Sequence, residues 1–100
     1  MNEEQDTVKV KYRQRPIEVD AILWDGEYNS MNLIIKKILH TTYGYTYKGI
    51  EYTSMYCSLI VHGYEKDINI CKGEYIVFGL DEKIYVYSPK IFFKLYEKVE

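Results

Sequence analysis

The stretch CKGEYIVFGLDEKIYVYSPKIFFKLYEKVE, residues 71–100, decides how this chain folds. Tyr75, Val77 and Gly79 alternate with Ile76, Phe78 and Leu80, so both faces of the first segment carry apolar side chains. That is the pattern of a strand inside a sheet rather than at its border. Asp81, Glu82 and Lys83 interrupt it with turn-compatible residues, and Ile84, Tyr85, Val86 and Tyr87 resume it with β-branched and aromatic side chains. A hairpin is the simplest reading. Ser88-Pro89 then signals a helix start, because serine accepts from the first free N–H groups and proline lacks an N–H that would go unpaired there. Ile91, Phe92 and Leu95 follow at helical spacing, which predicts a short helix laid back across the sheet.

Working outward, Asp67 to Cys71 reads as a short strand joined to the hairpin by Lys72-Gly73, and Met55 to His62 as another, with Met55, Cys57, Leu59 and Val61 on one side. In Thr41 to Ser54, TTYGYTYKGIEYTS, Tyr43, Tyr45 and Tyr47 recur at a period of two, which predicts three phenol rings on one face of a strand. Met31, Leu33, Ile34, Ile35, Ile38 and Leu39 form a helical apolar stripe ending near His40, with Asn29 or Ser30 as cap. Before it, Ile17 to Trp24 alternates as a strand and Asp25-Gly26 marks a turn. Val8, Val10 and Tyr12 alternate with Lys9, Lys11 and Arg13, and Arg15-Pro16 keeps the chain extended. Residues 1–7 are acidic and almost free of apolar side chains, the composition of a disordered terminus.

The expected architecture is one α+β domain over residues 8–100: a small antiparallel sheet of about five strands, one main helix and a short C-terminal helix. Antiparallel pairing follows from the short connections, since parallel pairing needs long crossovers. A chain of 100 residues supports one core. Its twelve tyrosines against three phenylalanines suit half-buried strands and binding surfaces alike. A net charge of -2 argues against non-specific nucleic-acid binding. The opening residues lack a secretory pattern and no apolar run reaches bilayer length, so a soluble chain without a membrane partner is expected. Cys57 and Cys71 read as reduced, buried thiols, and no metal site or cofactor is expected.

Catalysis needs convergent acids, bases or nucleophiles. His40 and His62 sit in no recognisable triad, and HExxH and phosphate-loop motifs are absent, so no catalytic residues are assigned. The candidate site is a binding site. Lys11, Arg13 and Arg15 supply cations for phosphate, and Trp24 with Tyr43, Tyr45 and Tyr47 supplies faces on which a base stacks. Two other readings stand beside it. The alternating cations also suit the solvated face of an edge strand, and a tyrosine row also suits a protein interface or a homo-oligomer, whose two-fold contact could house a pocket.

Two segments, KYRQRPIEVDAILWDG and the closing stretch, resemble a class of small phage and prophage accessory proteins. The resemblance rests on Tyr12, Arg13 and Pro16, then Gly73, Glu74, Tyr75 and Ile76, then Pro89, Ile91, Phe92 and Tyr96. It covers about half the chain. The usual glycine of the final hairpin is replaced around Asp81 to Lys83, and Tyr87-Ser88-Pro89 stands where the class has cysteine-x-proline. The resemblance implies a phage-encoded protein acting in the host bacterial cytoplasm. It brings no catalytic residues with it. The expected function is non-catalytic evasion of host antiviral immunity by sequestering a nucleotide-type signal. The alternatives are an inhibitor that binds a host defence protein directly, in the manner of an anti-CRISPR protein, and a small phage structural protein.

Overall fold

The computed structural model of the chain describes residue 11 and residues 17–99. Its elements run β1 (Asp20–Leu23), α1 (Tyr28–Leu39), a 3₁₀ turn (Thr42–Tyr45), β2 (Tyr47–Thr53), β3 (Ser58–Gly63), β4 (Ile68–Cys71), β5 (Tyr75–Phe78), β6 (Ile84–Tyr87) and α2 (Pro89–Leu95). The α+β class and the antiparallel pairing agree with the sequence. The single five-stranded sheet does not. Six strands form two three-stranded sheets, ordered β1-β5-β6 and β2-β3-β4. The extended segment expected from Val8 to Arg13 lies, apart from Lys11, outside the described residues, as do residues 1–7, expected to be a disordered terminus.

The last third folds as its pattern dictates. β5 is the middle strand of its sheet, with Ile22, Ile76 and Val86 in one cross-strand row, and Ile76, Val77 and Phe78 are buried on both faces. β5 and β6 form a hairpin whose turn needs a left-handed residue, supplied by Glu82 at φ 63°. β1 presents Ile22 and Trp24 to the core rather than Ala21 and Leu23, so the half of its pattern that begins polar is the half that ends buried.

The two sheets and α1 close over one apolar cluster that includes Trp24, Ile34, Ile38, Leu59, Val61, Ile70, Ile76, Phe78 and Ile84. In α1 the 3.6-residue period puts Ile34 and Ile38 inward and leaves Leu33 exposed. Neither Asn29 nor Ser30 caps the helix. Glu27 holds the N-cap position without a side-chain bond, and Asp25 does the work, its Oδ1 accepting from Glu27 N at 2.9 Å and Ser30 Oγ at 2.6 Å. The hydrogen bond from Ser30 holds the Asp25 carboxyl below its usual range. Lys37, near the helix C-terminus, reaches Asp20 of β1 at 2.6 Å.

Two tyrosines and one tryptophan stitch the sheets together. Trp24 Nε1 donates to Cys57 O at 2.9 Å and meets Tyr52 edge-to-face, tying β1 to the β2–β3 hairpin. The turn is tight there: Gly26, at φ 85°, approaches Cys57 so closely that a Cβ would lie 2.9 Å from its Sγ. At the opposite end Tyr43 Oη donates to Gly79 O at 2.6 Å, and Tyr47 Oη accepts from Ile84 N at 2.8 Å. Both cysteines are free, but only Cys57 is partly buried; Cys71 is exposed, because alternation along β4 turns Ile70 inward and Cys71 out.

α2 begins as read, with Ser88 accepting from Ile91 N and Pro89 in the first turn. It does not lay Ile91, Phe92 and Leu95 across the sheet together. Phe92 alone of the three is half-buried, stacked on Tyr75 at 4.1 Å with the rings 3° from parallel, while Ile91 and Leu95 stay about half exposed on the flank. Phe92→Ala should therefore destabilise by at least the aromatic pair contribution of about 0.5–1.5 kcal/mol, and Leu95→Ala by less than about 0.5 kcal/mol. Urea denaturation of the two variants checks the ranking.

Candidate functional site

The residues nominated from sequence separate in space. Trp24, 1% exposed, and Tyr47, 3% exposed, belong to the core, so neither offers an open ring face. Tyr43 is half-buried against Phe78, with ring centroids 5.4 Å apart. Tyr45, 81% exposed, faces solvent, as does Lys11. Arg13 and Arg15 lie outside the described residues. The expected row of three rings on one strand face is not formed. Thr41 caps a 3₁₀ turn by accepting from Tyr43 N, the turn carries Tyr43 and Tyr45, and only Tyr47 enters a strand. On this path Tyr43 and Tyr47, four residues apart, both reach the β5–β6 hairpin, and Tyr45 points away.

Where the 3₁₀ turn meets β2, the structure contains a hollow of about 180 Å³ lined by Thr46, Tyr47, Gly63, Glu65, Lys66 and Lys83. Three segments of distant sequence build it. The β2 entry gives Thr46 and Tyr47, the end of β3 and the turn after it give Gly63, Glu65 and Lys66, and the tip of the β5–β6 hairpin gives Lys83. Tyr64 N donates to Thr46 O at 3.2 Å, which fixes the β3–β4 turn against the start of β2. Gly79 N donates to Lys83 O at 2.9 Å, and Lys83 N to Asp81 Oδ1 at 3.1 Å, which fixes the hairpin tip.

Two cations, Lys66 and Lys83, line the hollow with one carboxylate, Glu65. Asp81 accepts from Tyr85 Oη and Lys83 N, and the Tyr85 hydroxyl holds its carboxyl below the usual range, so it is a second negative charge, and its field is felt at Tyr47. A further cation, Lys48, stands with Nζ 5.6 Å from the ring centre of Tyr64, within cation–π range. That ring is 66% exposed, so it retains surface for a planar group. Burial raises the pKa of Tyr47, keeping its phenol neutral. Its oxygen accepts from Ile84 N, and no acceptor for its hydroxyl hydrogen is found among the described residues, so the hydroxyl retains a donor for a ligand oxygen.

Of the residues nominated from sequence, Tyr47 alone lines the hollow, and Lys48, Tyr64, Lys66 and Lys83 of this region were not nominated. The last three lie in segments whose polar character marked them as turns. No signal along the chain says that turns 17 residues apart, at Lys66 and Lys83, line one hollow; that follows only from the two-sheet arrangement. Among the described residues there is no cluster of His, Cys, Asp or Glu suited to a metal ion, and no helix long and apolar enough to cross a membrane. No family model, curated protein or solved structure matches the chain.

Proposed function

We propose that the chain is a non-catalytic binding protein that captures a nucleotide-type anion at the hollow beside Tyr47, and that, as a phage-encoded protein in a host bacterial cytoplasm, it thereby withdraws a signal of antiviral immunity. The observation that carries this reading is that Lys66 and Lys83, from two distant turns, both line the hollow beside Tyr47, with the exposed ring of Tyr64 next in the chain to two of its lining residues. At about 180 Å³ the hollow is smaller than the roughly 300–1,000 Å³ of pockets that enclose whole small molecules. It suits the phosphate-bearing portion of a ligand, with the base laid on Tyr64 outside. Stacking on such a ring is worth about 1–3 kcal/mol per base. In this reading the chain binds its ligand and returns it unchanged.

A panel of cyclic di- and trinucleotides and ADP-ribose derivatives tests it by thermal shift. A ligand present at about 100 times its Kd stabilises the fold by about 2.7 kcal/mol, which for a domain of this size raises Tm by roughly 10 °C or more. Lys66→Ala and Lys83→Ala should each weaken capture by about 1.5–3 kcal/mol, the contribution of a charged hydrogen bond.

A second reading rests on α2, where Ile91, Phe93 and Leu95, with Val99 beyond it, are 49–64% exposed. Such a flank suits a protein partner, either a host defence protein inhibited directly or a second copy of the chain. No shift with any nucleotide, together with a stable complex on size exclusion, would favour it.

A further inference from the structure

His62, next to last in β3, stands opposite Gly49 of β2, so no side chain faces it directly across the ladder. Its imidazole bridges two carboxylates instead. Nε2 lies 3.0 Å from Glu51 Oε1 and Nδ1 3.2 Å from Asp67 Oδ2. The other oxygen of Asp67 accepts from Gly63 N at 3.3 Å. Glu51 reaches the ring from β2, and Asp67 from the turn that precedes β4; Lys48, the nearest cation along β2, is directed at Tyr64.

Only the imidazolium donates from both ring nitrogens. A neutral ring has one N–H and must set a lone pair against one of the two carboxylates. The segment closed by the Asp67 clasp is Gly63 to Asp67, and it carries Gly63, Glu65 and Lys66, three of the residues that line the hollow, with Tyr64 between them in the chain. We infer that His62 is a proton-operated latch on this turn, and that its protonation tightens the hollow for a phosphate-bearing ligand. The ligand half of the inference rests on the capture reading above.

The direction is set by the geometry and by the charge. The hydrogen bond to Glu51 and then that to Asp67 raise the His62 pKa above the ordinary imidazole value. The latch is therefore fully closed below about pH 6.5 and is lost as pH rises through the higher folded value. The cation of His62 also adds to the field that draws an anion, so both effects weaken capture on the alkaline side.

The test has two arms. In the ligand-free protein, the amide resonances of Tyr64, Glu65 and Lys66 should titrate with the His62 ring, at a midpoint above 6.5, and His62→Gln should abolish that movement. Amides that ignore the ring, or that move alike in His62→Gln, overturn the latch without reference to any ligand. In the second arm the probe is ADP-ribose, whose diphosphate diester does not change charge between pH 6 and 8.5. Its affinity should fall at least about fivefold over that interval in the natural chain, and stay flat in His62→Gln. An affinity flat in both, with the amides responding, overturns the coupling of latch to hollow. ADP-ribose that binds at neither pH counts against the capture reading and removes the affinity half of the inference, while the amide titration still decides the latch.

Discussion

Trp24→Ala is expected to cost about 3–5 kcal/mol, the range for removing a large buried aromatic side chain. The indole is 1% exposed, packs among core residues of both sheets and donates its N–H to Cys57 O across the interface. Against the roughly 5–15 kcal/mol that holds a domain together, the loss should leave a large unfolded fraction at 37 °C, read by circular dichroism during urea denaturation. Trp24→Phe separates two contributions: it keeps most of the volume but leaves the Cys57 carbonyl without its donor, and should fall between alanine and the natural residue. A Trp24→Ala chain destabilised by less than about 1 kcal/mol would mean that the β1 corner is not pinned to the β2–β3 hairpin by this side chain.

Tyr47→Phe is expected to cost about 1–3 kcal/mol, because Ile84 N–H would be left buried without a partner. Tyr47 is 3% exposed and its oxygen is the group that satisfies the outward amide at the start of β6. Tyr43→Phe removes a hydrogen bond of similar length, to Gly79 O, but that carbonyl belongs to a half-exposed residue and regains water. It should cost under about 1 kcal/mol. The contrast is diagnostic, since the two changes delete the same atom from the same segment. Equal losses would show that the sheets are not joined at β6 as described.

The elements legible in the sequence are those whose signals are local. The β5–β6 hairpin is announced by two apolar runs around Asp81 to Lys83, and α2 by Ser88-Pro89. Their central and terminal places follow from burial patterns alone. The division into two sheets was not legible, because Lys72-Gly73 gives the same turn signal whether the chain folds back on β4 or leaves it for another sheet. Here it leaves: Gly73, at φ 96°, donates to Trp24 O at 2.7 Å, so the chain joins β1 after the turn. The tyrosine segment misled for a different reason. A period of two is shared by a strand and by any chance spacing, and the Thr41 cap with the close approach of Gly44 to Leu39 O decided for a 3₁₀ turn. Of the candidate site, Tyr47 was legible as an amphipathic aromatic. Lys66 and Lys83 were not, because what makes them neighbours is a fold that brings two turns together.

The same topology makes the lysine pair the point on which the account turns. Isothermal titration of the strongest thermal-shift ligand into the natural chain and into the Lys66→Ala/Lys83→Ala double variant tests it most directly. The account predicts one saturable site per chain in the former, recovery of the ligand unaltered, and at least a hundredfold weaker binding in the latter with the folded spectrum retained. Equal affinity in both, or no heat from any member of the panel, would contradict it.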